Sequence, residues 1–185
     1  LSFDLDDTLW PIAPTIARAE QALHAFMRTE VPQLAALWPV ELMRALRDDI
    51  AARHPDIAHD FSAQRRRSLG VVFADHDARE QLIDRAFEVF YSTRNEVTLF
   101  ADTTTALPQL AARYRLASLS NGNADLQRIG LAHHFEHCIS ARDVGVMKPD
   151  PAIFAHLCQT LGLGADTLVH VGDDPIMDVL GAKRA

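Results

Sequence analysis

In 185 residues, 48% of them hydrophobic and 23% charged, the chain has ordinary globular composition and enough length for one core domain with a small inserted module, which excludes the disordered and fibrous classes. A formal charge of −7 argues against a broad polyanion-binding surface, and so against a nucleic-acid partner, but leaves room for a small anion in a local positive pocket. No apolar run approaches the ~18 residues that span a bilayer, the start lacks a signal-type pattern, and two cysteines, Cys138 and Cys158, are too few for a disulfide framework. A cytoplasmic protein with buried thiols and no membrane partner is the expectation.

The opening Leu1-Ser2-Phe3-Asp4-Leu5 alternates apolar and polar residues and breaks at Asp6-Asp7-Thr8, as a short strand entering a loop does. From Pro14 to about Asn95 the periodicity is helical. Ile16, Ala19, Leu23, Phe26 and Met27 form one stripe, Met43, Leu46 and Ile50 a second, Leu69, Val72 and Phe73 a third, and Leu82, Ile83, Ala86, Phe87 and Phe90 a fourth. Beyond Asn95, apolar runs at Leu116 to Leu119, Cys138 to Ile139 and Leu168 to Val171 alternate with helical stretches such as Thr103 to Arg113 and Pro151 to Leu161. That alternation signals crossover units and a parallel sheet. The fold expected is α/β: a Rossmann-like, doubly wound parallel sheet formed by residues 1–13 and 96–185, with an all-helical cap inserted at 14–95. The chain starts in a strand pattern and stops in a helical one, so residues are expected to be missing at both ends.

Four polar clusters follow the apolar runs: Asp4-Leu5-Asp6-Asp7-Thr8, Ser120-Asn121-Gly122-Asn123, Lys148-Pro149-Asp150-Pro151 and Gly172-Asp173-Asp174-Pro175. In an open parallel sheet the strand carboxyl ends share one crevice, so clusters distant in sequence converge there. Asp4 and Asp6, two apart in an extended segment, place both carboxylates on one side, and Mg²⁺ characteristically takes one or two carboxylates, waters and a phosphate oxygen. Asp173 and Asp174 are placed to complete such a site. With the cation reducing charge repulsion, one carboxylate is free to attack phosphorus. Taken alone, paired acids serve equally well as turns and caps. Ser120, with the amides of the Asn121-Gly122 turn, suits one face of a phosphate, though an ordinary strand-to-helix turn fits the same residues. Lys148 offers a point charge.

Together the four clusters resemble the haloacid dehalogenase superfamily, whose Asp-x-Asp-x-Thr run is met at Asp4, Asp6 and Thr8, its second motif at Ser120, its third at Lys148 and its fourth at Gly172-Asp173-Asp174 with Asp178. The resemblance implies a Mg²⁺-dependent phosphatase in which Asp4 is the nucleophile and is transiently phosphorylated. Asp6 protonates the leaving oxygen and then activates water. It implies Ser120, Asn121 and Lys148 as phosphate-binding residues and Asp4, Asp6, Asp173 and Asp174 as the metal set, with Asp178 orienting Lys148. The same motifs serve phosphomutases, and a haloacid dehalogenase also uses an aspartate nucleophile, but carbon–halogen displacement needs no acid for an alkoxide and Asp6 disfavours it. Within the superfamily, Phe3 to Leu9, Ser120 to Ala124 and His170 to Asp174 are similar to bacterial phosphatases of flavin mononucleotide and of a riboflavin precursor, 5-amino-6-(5-phosphoribitylamino)uracil. A small phosphorylated metabolite is thus the implied partner. Members of the superfamily continue past the last helix to a further strand, so the sheet is expected to show an unprotected edge.

Three features stand outside these motifs. Arg65-Arg66-Arg67 reads as a solvated helix face, His133, His134 and His137 as surface loop residues rather than zinc ligands, and Trp10 as either pocket lining or packing.

Overall fold

The computed structural model describes residues 1–185, which divide into two compact units: Leu1–Ile12 with Val97–Ala185, and Ala13–Glu96.

The second unit carries most of five helices: α1 (Ile12–Glu30), α2 (Pro32–Leu37), α3 (Val40–Arg53), α4 (Phe61–Val72) and α5 (Arg79–Arg94). Its core follows the apolar spacing. Ala19, Leu23 and Met27 of α1 meet Met43 of α3, Leu69 and Val72 of α4, and Leu82, Ala86 and Phe90 of α5. Burial of each leucine-sized side chain stabilises by roughly 1.5–3 kcal/mol. Pro32 at the start of α2 and Pro39 just before α3 keep these helices as separate segments. Asp60 caps α4 by accepting the Ala63 N–H at 2.9 Å.

The expected solvated face of α4 is corrected at one position. Arg65 is 4% exposed, pairs with Glu20 at 3.6 Å and lies 3.9 Å from the Phe90 ring centroid. Arg66 and Arg67 are exposed, Arg66 pairing with Asp84.

In the first unit four parallel strands, β1 (Ser2–Phe3), β2 (Ala117–Ser120), β3 (His137–Ser140) and β4 (His170–Val171), stand in the order β3-β2-β1-β4. The connections carry α6 (Thr103–Ala111), α7 (Leu126–Ile129), α8 (Ala141–Val144) and α9 (Pro151–Leu161), and a wide helical turn over Pro175–Leu180 leads into α10 (Gly181–Arg184). The strand pattern Leu1 to Leu5 yields only two strand residues because the chain folds over at once. Thr8 and Leu9 both donate their N–H groups to the Leu5 carbonyl, at 3.2 and 2.8 Å. Alternation along β2 splits the core between the faces: Leu116 packs with Phe3, Leu107 and Leu126, whereas Ala117 and Leu119 pack with Ile153, Phe154 and Leu157 of α9. β4 is an edge strand, and Val169 and Val171 are exposed there.

The thiols also differ from expectation. Cys138 is exposed and Cys158 half-buried, both free, because β3 is the other edge and Cys138 points away from the face that buries Ile139. No helix is long and apolar enough to cross a membrane.

Candidate active site

All four polar clusters lie in the sheet unit, three at the carboxyl ends of β1, β2 and β4, where parallel sheets place ligands, and the Lys148 cluster in the loop between α8 and α9. Register accounts for the convergence: Ser2 of β1 is aligned with Ala117 of β2 and His170 of β4, so Asp4, Ser120 and Gly172 each stand just past the end of the paired segment or at its last residue.

The centre is a buried cluster of charges. Lys148, 2% exposed, places Nζ 2.7 Å from Asp4 Oδ1 and 2.6 Å from Asp178 Oδ1. Burial pushes the Asp4 carboxyl up, against the opposing pull of Lys148. Burial also pushes Asp178 upward, but hydrogen bonds from His170 and Lys148 outweigh it and hold this carboxyl well below the usual range. Asp178 is thereby held as an anion and Asp4 is the less comfortable of the two, the carboxylate with most to gain from another cation.

Two backbone devices fix Lys148. The Asn121 side chain accepts the Lys148 N–H through Oδ1 at 2.8 Å and donates Nδ2–H to the Lys148 carbonyl at 3.0 Å. Both ends of the amide are thus engaged with the Lys148 main chain, and the second Nδ2–H and the Asn121 backbone N–H are the donors this residue could turn to an anion. The Lys148–Pro149 peptide is cis. Ser120, 2% exposed, accepts the Gly122 N–H at 3.0 Å, so its hydroxyl proton is directed elsewhere.

Asp6 lies in the turn after β1, where the Trp10 indole N–H donates to its Oδ1 at 2.9 Å. Trp10 is fully buried and its carbonyl also accepts the Asp7 N–H at 2.8 Å. The residue left open between pocket lining and packing therefore does neither job alone: it is core, and it holds a carboxylate. Asp7 adopts φ 61°, the left-handed region that Asp tolerates better than most, and accepts the Ile12 N–H at the head of α1.

The two acids of the fourth cluster are distinguished by their contacts. Asp174 caps the helical turn that follows, accepting the N–H groups of Ile176 and Met177 at 2.7 and 2.8 Å. Asp173 is exposed, and Thr8 Oγ1 donates to it at 3.3 Å. Carboxylate oxygens of Asp4, Asp173 and Asp178 lie within 4.8 Å of one another. Asp178 is already occupied by Lys148, His170 and the Asp174 N–H, so of these three Asp4 and Asp173 have the capacity for a cation. Two carboxylates, one buried and one exposed, fit Mg²⁺, which retains several waters. Gly172 is forced by this crowding, since a Cβ there would lie 2.2 Å from Asp178 Cγ.

Sequence reasoning missed His170 and Ser2, whose side chains join this cluster from below. His133 and His134, in contact with each other in a short turn, take no part in it.

The sequence model of the haloacid dehalogenase-like hydrolases matches residues 1–185. The chain is 31% identical to the Escherichia coli K12 phosphatase YigB, which acts on 5-amino-6-(5-phospho-D-ribitylamino)uracil, over 100% of this chain and 79% of that one. It is 28% identical to a glyceraldehyde 3-phosphate phosphatase of Methanopyrus kandleri, over 99% and 78%. Among solved structures, a protein of Pseudomonas syringae pv. tomato DC3000 described as a 2-haloacid dehalogenase is 40% identical, with a TM-score of 0.92, over 100% of this chain and 81% of that one.

Proposed function

The chain belongs to the haloacid dehalogenase-like hydrolases, and from that premise we propose that it is a phosphatase of small phosphomonoesters that works through a phosphorylated Asp4. The observation that carries this reading is the Lys148 ammonium held between Asp4 and Asp178 at 2.7 and 2.6 Å, with a second carboxylate, Asp6, two residues from the first.

In the first step an Asp4 carboxylate oxygen attacks phosphorus and the ester P–O bond breaks, while Asp6 gives its proton to the departing oxygen. In the second, Asp6 takes a proton from water, whose oxygen bonds phosphorus as the Asp4–phosphorus link breaks. Inorganic phosphate leaves, Asp4 is again a carboxylate and Asp6 again carries its proton. Lys148 offsets the charge gathering on the phosphoryl oxygens, and the Ser120 hydroxyl and the Asn121 backbone N–H donate to them. Asn121 contributes by holding the Lys148 main chain. A Mg²⁺ bound by Asp4 and Asp173, with the Asp6 carbonyl, would lessen the repulsion between Asp4 and a phosphate dianion.

The likeness to YigB supports a ribityl phosphate as substrate class, with 5-amino-6-(5-phosphoribitylamino)uracil and flavin mononucleotide as first candidates. The 40% identity to a protein described as a dehalogenase supports a second reading, in which Asp4 displaces halide from a 2-haloacid. Asp6 in contact with Trp10, and Asp173 beside Asp4, favour phosphoryl transfer, because halide departure needs neither a proton donor nor a cation. The deciding experiment assays phosphate release from these two esters, glyceraldehyde 3-phosphate and sugar phosphates with Mg²⁺, alongside chloride release from 2-chloropropionate. Mg²⁺-dependent phosphate release that vanishes in Asp4→Asn is expected. Chloride release without phosphate release would replace this reading with the second.

A further inference from the structure

Beneath the charged cluster lies a second layer of hydrogen bonds. The His170 side chain, 1% exposed, has both ring nitrogens engaged: Nδ1 is 2.8 Å from Ser2 Oγ and Nε2 is 3.0 Å from Asp178 Oδ1. Asp178 Oδ1 is the same oxygen that receives Lys148 Nζ. Because the Asp178 carboxylate can only accept, the ring carries a proton on Nε2 and donates it there, and in the neutral ring Nδ1 then accepts from the Ser2 hydroxyl. Ser2 is fully buried and is the registered neighbour of His170 across the β1–β4 pair. Its side chain therefore points to the same face as Asp4, two residues along. The ring also meets Phe154 of α9 edge-on, at 5.3 Å between centroids.

We propose that His170 is a positioning residue for phosphoryl transfer, clamped by Ser2 so that its Nε2–H fixes the Asp178 carboxylate and, through it, the Lys148 ammonium on Asp4. This rests on the reading of Lys148 and Asp4 given above. A buried histidine needs partners for both nitrogens, and packing against Phe154 alone is served as well by leucine. The geometry does more than satisfy it, because the hydrogen bond lands on the oxygen that aims Lys148. Without that donor Oδ1 of Asp178 is held by Lys148 alone and the carboxylate can pivot about the Asp174 N–H on its other oxygen, drawing Nζ away from Asp4, and misplacement on the scale of 1 Å costs up to about 100-fold in rate.

The test compares His170→Leu, which keeps bulk without a donor, with His170→Gln, which restores an N–H near the Nε2 position, using p-nitrophenyl phosphate and flavin mononucleotide with Mg²⁺. His170→Leu is expected to lower kcat about 10- to 100-fold on both esters, with KM moving less than kcat, and His170→Gln to recover most of the loss at an unchanged Tm. Ser2→Ala, which releases the ring but keeps the donor, should lower kcat in the same direction by a smaller factor. It also decides the matter should His170→Leu fail to fold, since an unchanged kcat in Ser2→Ala then overturns the proposal. Wild-type kcat in His170→Leu, or equal losses in the Leu and Gln variants at wild-type Tm, also overturns it. Lys148→Ala separates the two levels: if it retains turnover, the catalytic reading falls along with the proposal, whereas its inactivity beside a fully active His170→Leu removes only the role given to His170.

Discussion

At the scale of single residues, the site concentrates negative charge around one buried cation, and this has opposite consequences for activity and stability. Asp4, Asp178 and Lys148 together carry one excess negative charge, with Asp4 raised by its burial. Asp4→Asn removes that excess while an amide oxygen can still accept from Lys148. The variant should release no phosphate yet melt at or above the wild-type temperature, since sites built for function are commonly strained. Calorimetry and a phosphate assay check this, and a marked fall in Tm would refute it.

Trp10→Phe isolates the hydrogen bond on Asp6. An acid matters only when the leaving oxygen is basic, so kcat/KM for an alkyl phosphate should fall by about 10-fold or more, a part of the 10²–10⁴ that general acid catalysis supplies. For p-nitrophenyl phosphate, which departs without a proton, it should hold within about twofold. Equal losses on both esters would mean that Trp10 only packs.

Sequence made the positions of Asp4, Ser120 and Asp173 legible because each ends an apolar run, and Lys148 because it precedes a proline-flanked turn. It did not reveal who bonds whom. Ser2 and His170 read as ordinary strand residues, and their pairing exists only through the β1–β4 register. Asn121 faces Lys148 from 27 residues away, a relation no local spacing encodes. Nor does spacing show that Asp174 Oδ1 accepts the N–H groups of the turn it starts.

At the scale of elements, α4 shows why a run of like charges misleads. Three consecutive helical residues span about 200° at 100° each, so Arg65, Arg66 and Arg67 cannot share one solvated face. Arg65 falls on the stripe of Leu69 and Val72, at i+4 and i+7, and goes inside with them. Burial and the neighbouring Arg47 push its guanidinium down to about 10, which leaves it charged at neutral pH and dependent on Glu20. Glu20→Gln strands that charge in the core and should destabilise the helical unit by about 3–5 kcal/mol. Arg44→Ala removes a partner that is 49% exposed, an interaction worth about 0–1 kcal/mol. Urea melts followed by helical circular dichroism distinguish them, and equal effects would show that Glu20 is not the needed counter-charge. The long helices were readable throughout because their apolar spacing persists over several turns. The strand ends were not, because β1 and β4 stop where loops fold back, which hydrophobic alternation does not record.

At the scale of the whole molecule, the two units give metal binding a spatial signature. The carboxylates available to a cation, Asp4 and Asp173, both belong to the sheet unit, and none of the candidate ligands belongs to Ala13–Glu96. An ion that binds only the native state stabilises it by about 2.7 kcal/mol at a hundred times its Kd, or about 5–10 °C in Tm for a chain of this size. Added Mg²⁺ should therefore slow hydrogen exchange in β1, β2 and the turn after β4 while leaving α3 and α4 unchanged, and Asp173→Ala should abolish both the Tm shift and the added protection. Chelation should stop phosphate release, and returning Mg²⁺ should restore it. Protection that rises in the helical unit instead would move the ion away from Asp4 and Asp173. Full turnover in chelator would remove the cation from the proposed reaction and favour the dehalogenase chemistry, in which Asp4 attacks carbon and has no phosphate dianion to approach.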